Sequence, residues 1–267
     1  GTVIEKILER RYMSSFHAMW STGAFVTTLI GGGITRHVSP RLNLIAIAAV
    51  CLVAYLIAAK FLLPSEIDGH KGEEEHEAKI PLFDKNVTRL WWLGFGLLAS
   101  LIGEGAASDW AAILLRDEMG YGKGVYASAF GSFALAMIIS RFLGDRALDY
   151  FGPARLVKLG GYIGGSIWGA SLLISIPLSS SHPLPALIIV NIGFAAAGLG
   201  IGPMFPAFIL AASQTPGVAP AVAISRVGVI GIAGFFFGPT VTGVIAEYTS
   251  LSIAIMYPVA MLILSGY

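Results

Sequence analysis

The 267-residue chain is 55% hydrophobic and only 12% charged. Soluble domains average about 25% charged, so the composition excludes an ordinary soluble domain and points to a polytopic membrane protein. A net charge of +1 gives no electrostatic basis for nucleic-acid binding, and the single cysteine, Cys51, excludes an intrachain disulfide.

The basic start (Glu5, Lys6, Glu9, Arg10, Arg11) runs into an apolar stretch with no small-residue cleavage signature, so no secretory signal is read there. The chain opens with Gly1 and stops inside an apolar run, and a fragment of a longer protein is expected. A membrane-crossing helix needs about 20 apolar residues. Candidates fall at about 14–34, 42–63, 90–115, 124–143, 156–176, 185–212, 220–246 and 250–267, the last being short for a span. Continuous apolar runs without period-2 alternation predict helices, not barrel strands.

The longest connection, Pro64 to Arg89, carries Glu66, Asp68, His70, Glu73, Glu74, Glu75, His76 and Glu77. Such residues are metal ligands, but a solvated cytoplasmic linker between two bundles is the preferred reading, and no metal is expected. With the N-terminus placed in the cytoplasm, 12 Lys and Arg side chains fall inside and four (Arg36, Arg41, Arg116, Lys123) outside. That bias predicts both ends of the chain to be cytoplasmic. The Asn86-Val-Thr88 sequon is then on the inside and is not expected to be glycosylated.

The span beginning at Leu93 carries two acids, Glu104 and Asp109. A charge near the bilayer centre costs about 2.5–3.5 kcal/mol, so intramembrane acids tend to be paired, protonatable or set in a polar path. Five residues correspond to about 500° of helix, which turns the two acids roughly 140° apart. Glu104 shares its face with Ser100, Ala107, Ser108 and Ala111, a small and polar stripe that suits the wall of a cavity. Burial there would favour its neutral form and permit reversible protonation. Asp109, beside Trp110, reads as an interface or packing residue.

Gly160, Gly161, Gly164, Gly165 and Gly169, and later Gly228, Gly231, Gly234 and Gly238, recur at helical spacing and predict close helix packing. Pro203 and Pro206 follow Gly198, Gly200 and Gly202 and should bend or break their helix. Such breaks survive where protein or a water-filled cavity meets the freed backbone, which gives this segment a substrate or gating role.

Between two spans lies Arg141-Phe-Leu-Gly144-Asp145-Arg146-Ala-Leu-Asp149-Tyr-Phe-Gly152. The order Gly-Asp-Arg-x-x-Asp-x-x-Gly resembles the loop motif of the major facilitator superfamily, in the copy found in the second half of those transporters. Residues from Glu9 to Gly23, including His17 and Trp20, resemble the junction of helices four and five in the sugar-permease-like branch that includes MosC and YbjJ. Glu104 to Trp110 is similar to helix seven of that branch, and Gly228 to Pro239 to helix eleven.

The resemblance implies a helical bundle holding helices five to twelve of twelve. Residues 1–63 would be the last two helices of the N-terminal half, 64–89 the central linker and 90–267 the C-terminal half. It implies a secondary transporter of the inner membrane, monomeric at full length. Its partners would be a small polar, sugar-like solute and protons, with no cofactor. Efflux on the same fold is the alternative, and a channel or lipid flippase the alternative class. Asp145 would brace the inward-closed state against the helix start near Ser14 and Ser15, within a network of Arg141 and Arg146. His17 matches a histidine of the family without an assigned role. Arg226 departs from an apolar position and either snorkels or pairs with an acid in the absent half. Metal-protease and rhomboid-like motifs are missing, so an enzyme is not expected.

Overall fold

The computed structural model describes residues 2–34, 38–62, 64, 85–122 and 124–267. The acidic linker, with the metal-sensing alternative considered for it, lies outside the described residues apart from its two ends. The helices are α1 (Thr2–Leu8), α2 (Met13–Ile34), α3 (Pro40–Ala59), α4 (Lys85–Ile113), α5 (Ser128–Phe151), α6 (Pro153–Leu159) and α7 (Gly165–Leu178). They continue with α8 (Pro183–Ile201), α9 (Met204–Ser213), α10 (Pro220–Ile232), α11 (Gly234–Tyr248), α12 (Leu251–Ala254) and α13 (Met256–Ser265). Among the described residues, five helical stretches are long and apolar enough to cross a membrane.

Contacts divide the chain into two units. One comprises Gly1–Arg11 and Met19–Lys79, the other Tyr12–Ala18 and Ile80–Tyr267. In the first, α3 leaves Leu44, Val50, Tyr55 and Leu56 exposed. The first turn of α2 belongs to the second unit, where everything that follows takes place.

There α4 is the most enclosed helix, packed by α5, α8, α9, α10, α11 and α13. The core runs from Leu97 and Leu101 through Phe133 and Ile201 to Trp168, whose ring meets Phe194 at 5.4 Å. The glycine-rich faces are helix-crossing points. A Cβ on Gly160 would stand 2.5 Å from the carbonyl of Gly200, and one on Gly200 the same distance from that of Gly160. Gly234 and Gly238 meet the backbone of α4 at Leu98 and Ile102 in the same way. Neither neighbour at the Gly160–Gly200 crossing is a side chain that could swing aside. Gly200→Val should therefore lower stability by about 1–3 kcal/mol. Thermal unfolding of the purified full-length protein checks this, and an unchanged midpoint counts against the crossing.

Three features depart from the sequence reading. The charged motif expected on a connection is helical. The span read as 124–143 continues to Phe151, so Arg141, Gly144, Asp145, Arg146 and Asp149 are all residues of α5. The helix ends only where Gly152 takes φ 73° and Pro153 starts α6. Two wider π-helical turns, Leu114–Glu118 after α4 and Gly160–Gly164 between α6 and α7, had no signal in the hydropathy pattern. After the first of them, Glu118 caps α12, accepting from Leu251 N at 3.1 Å and Ser252 Oγ at 2.7 Å. The span 220–246 is interrupted at Ala233, and the interruption expected around Pro203 is present as a turn at Gly202–Pro203.

Candidate functional site

The first N–H groups of any helix lack partners within it. At the start of α2 an ordinary N-cap side chain is missing, since Tyr12 precedes Met13. The partner comes instead from α5. Asp145 accepts from Ser14 N (Oδ1, 3.0 Å), from Ser15 N (Oδ2, 3.0 Å) and from Ser15 Oγ (Oδ2, 2.5 Å). A carboxylate held by backbone donors at the positive end of a helix is a charge-assisted cap. Gly144 makes the approach possible, because a Cβ there would run into the Ser14 hydroxyl. That hydroxyl donates to the carbonyl of Arg141 at 2.7 Å.

Arg141 stands one turn before Asp145 on the same face of α5, as the i, i+4 spacing dictates. Its side chain runs inward and is 2% exposed. Nη2 donates to both carboxylate oxygens of Glu104, each at 3.1 Å, and Nε donates to the carbonyl of Gly202 at 3.2 Å. Glu104 is 3% exposed. The pair is neutral as a whole, which removes the cost that a lone carboxylate would carry inside the bundle. Gly202 belongs to the turn between α8 and α9, so the freed backbone of the broken helix finds its donor in Arg141. Ser140 assists by donating to Gly198 O at 3.3 Å and to Met137 O at 3.0 Å. His17, one turn into α2, lies with Nδ1 2.9 Å from Met13 O and sets its ring, tilted, against Phe205 of α9 at 4.7 Å. His17 had no assigned role in the sequence. Its place here is to seat the first turn of α2 against the helix that follows the break.

The structure thus joins two groups that the sequence kept apart. Glu104, read as a cavity-facing group, and Arg141, read as part of the cytoplasmic motif, form one ion pair. The small and polar stripe around Glu104 is covered instead of open: Ser100, Ala107 and Ala111 are fully buried. Ser100 Oγ donates to Leu97 O at 2.8 Å within its own helix. Pro203 and Pro206 are buried as well, with Pro203 Cβ 3.4 Å from where a Cβ of Gly144 would be.

Other residues singled out in the sequence stand outside this cluster. Ser108 and Asp109 are exposed one turn further along α4, with Ser108 Oγ donating to Glu104 O at 2.8 Å. Trp110 Nε1 donates to Pro239 O at 3.1 Å. Arg146 and Asp149 are exposed on α5, Gly152 forms the turn after it, and Arg226 is half-buried on α10.

The family model described as Major Facilitator Superfamily matches residues 9–222. The chain is 28% identical over 259 residues to an MFS-type transporter of Yersinia pestis, covering 95% of this chain and 62% of that protein. It is 30% identical over 250 residues to the transporter y4wD of Sinorhizobium fredii, covering 93% and 62% respectively. Membrane protein MosC of Rhizobium meliloti is 26% identical over 251 residues, covering 94% of this chain and 57% of its own length. The chain therefore spans about three-fifths of the length of these curated relatives.

Proposed function

This chain is a multi-pass membrane protein of the Major Facilitator Superfamily, and on that footing we propose that the full-length protein is a secondary active transporter working by alternating access. Two helical halves rock about a site near the membrane midplane, exposing it to each side in turn. The cargo is a small polar, sugar-like solute, and its movement is coupled to protons. The protein resides in the inner membrane with both ends of this chain in the cytoplasm, the arrangement that the lysine and arginine distribution favours.

One observation carries the reading: the buried Glu104–Arg141 pair continues, through one turn of α5, into the Asp145 cap on α2. A titratable acid inside the bundle marks ion pathways in membrane proteins. A helix start capped by a carboxylate from another helix is a contact that can be made and released as a unit. In this reading the cap closes the cytoplasmic side, Glu104 takes and releases the coupling proton, and exposed Ser108 and Asp109 meet the solute. Pro203 and Pro206 keep α8 and α9 as separate segments at the gate.

The test is solute-induced proton movement in proteoliposomes holding the full-length protein and a pH-sensitive dye, with hexoses, pentoses and polyols as the panel. A symporter alkalinises the side from which solute enters, whereas efflux by antiport gives the opposite sign. Glu104→Gln should abolish proton movement while leaving solute exchange between equal concentrations in place. Undiminished proton movement in that variant would falsify the assignment of Glu104.

A further inference from the structure

Arg141 touches the acid on α4 and the break between α8 and α9 with its side chain and, through its backbone carbonyl, the docked end of α2. We propose that Arg141 is the residue that transmits the protonation state of Glu104 to the cytoplasmic gate, by exchanging Glu104 for Asp145 as its partner. The proposal rests on the transport reading above and adds the step that links its two parts.

The chemistry is a proton transfer followed by a change of partner. A proton from water adds to one carboxylate oxygen of Glu104. The carboxyl group becomes neutral, and the two charge-assisted bonds from Nη2 lose their anionic acceptor. The guanidinium keeps its charge and cannot remain buried without a counter-ion. Asp145 is the anion within its reach on the same face of α5, at the i, i+4 spacing where opposite charges pair. Asp145 now holds the amides of Ser14 and Ser15, so a guanidinium that claims this carboxylate competes with the cap on α2. Movement of Arg141 also withdraws the donor from Gly202, in the turn that leads into α9, whose Phe205 ring meets His17. When α2 lifts, water reaches Glu104 from the cytoplasm and the proton leaves there.

The surroundings of Glu104 leave few other counter-charges for this exchange. The turn of α4 that carries it packs against Ile201 of α8, Phe235 and Pro239 of α11, and Pro258 and Leu262 of α13, none ionisable. Arg141 and Asp145 of α5, together with Glu104, are the charged groups that act on His17 of α2 beside it. Exposed Arg146 and Asp149 lie further along α5.

Pulsed spin-label distances test the step without transport. Labels go on the full-length protein at exposed Leu8 and Tyr150, in a background where exposed Cys51 is replaced by Ser. Glu104→Gln, which imitates the protonated acid, should raise the ratio of long to short distances at least tenfold at neutral pH. Lowering the pH should do the same in the parent. In an Arg141→Gln background neither change should have a further effect, because the transmitting group is gone. An equal shift with and without Arg141 overturns the proposal. So does an unshifted Glu104→Gln beside an Asp145→Asn that still opens the gate, and that pattern leaves the transport reading standing. If Arg141→Gln does not fold, Arg141→Lys keeps the counter-charge but cannot reach Glu104 and Gly202 together. It should weaken the pH response at least threefold, and a response equal to the parent's overturns the proposal.

Discussion

Replacing Arg141 with Met is expected to cost the folded protein about 3–5 kcal/mol, the usual penalty for leaving one partner of a buried ion pair uncompensated. The magnitude follows from burial: Arg141 is 2% and Glu104 3% exposed, so water cannot take over the missing partner. The bond from Nε to Gly202 O goes with the guanidinium as well. Adding Glu104→Gln should recover most of the loss, because the remaining group is then neutral and similar in volume. Thermal unfolding of the four proteins (parent, both single variants and the double) closes the cycle. A double variant no more stable than Arg141→Met alone would mean that the pair carries little of the stability.

Hydropathy was a sound guide to the helices because a bilayer demands long apolar runs. The spans around α4, α8–α9 and α10–α11 were legible for that reason. It misjudged the end of α5 for a physical reason of the same kind: charge marks where a span leaves the hydrocarbon, not where its hydrogen bonding stops. Nothing apolar distinguishes residues 144–151, yet the helix runs on until a glycine at positive φ and a proline end it together. That error hid the site. Arg141 and Asp145 share a face only if the segment is helical, and only then can one connect an acid inside the bundle to a helix start at its edge.

The stripe around Glu104 shows a second limit. Ser100, Ala107 and Ala111 are small enough to line a cavity and small enough to admit a neighbouring helix, and sequence periodicity cannot separate the two. The break at Gly202–Pro203 was legible from its prolines. The donor that satisfies it was not, because that donor sits 61 residues away on another helix. Family resemblance came closest to the Asp145 contact, since it named Ser14 and Ser15 as the place of docking, and both accept that role in the structure. It placed Arg141 in the charge network of Asp145, whereas the structure pairs it with Glu104.

Gly144→Val should undock α2 while leaving α5 and its packing in place. A side chain at this position points at the Ser14 hydroxyl and Cβ, the latter at 3.0 Å, whereas its nearest contact within the rest of the bundle is Pro203 Cβ at 3.4 Å. The clash is thus with the docked helix and not with the body that holds Glu104 and Arg141. Loss of the contact releases the three bonds to Asp145, and each charge-assisted bond is worth about 1.5–3 kcal/mol, without simple additivity. The amides of Ser14 and Ser15 report this directly, since Asp145 is the acceptor that protects them. Their hydrogen exchange should quicken by about tenfold or more, the factor that corresponds to 1.4 kcal/mol. Asp145→Asn should quicken the same two amides, because a neutral amide side chain is a weaker acceptor than a carboxylate. Exchange along α4 and α8 should hardly change in either variant. If instead the whole bundle exchanges faster in Gly144→Val, the glycine serves general packing, and the docking of α2 is not an element that moves by itself.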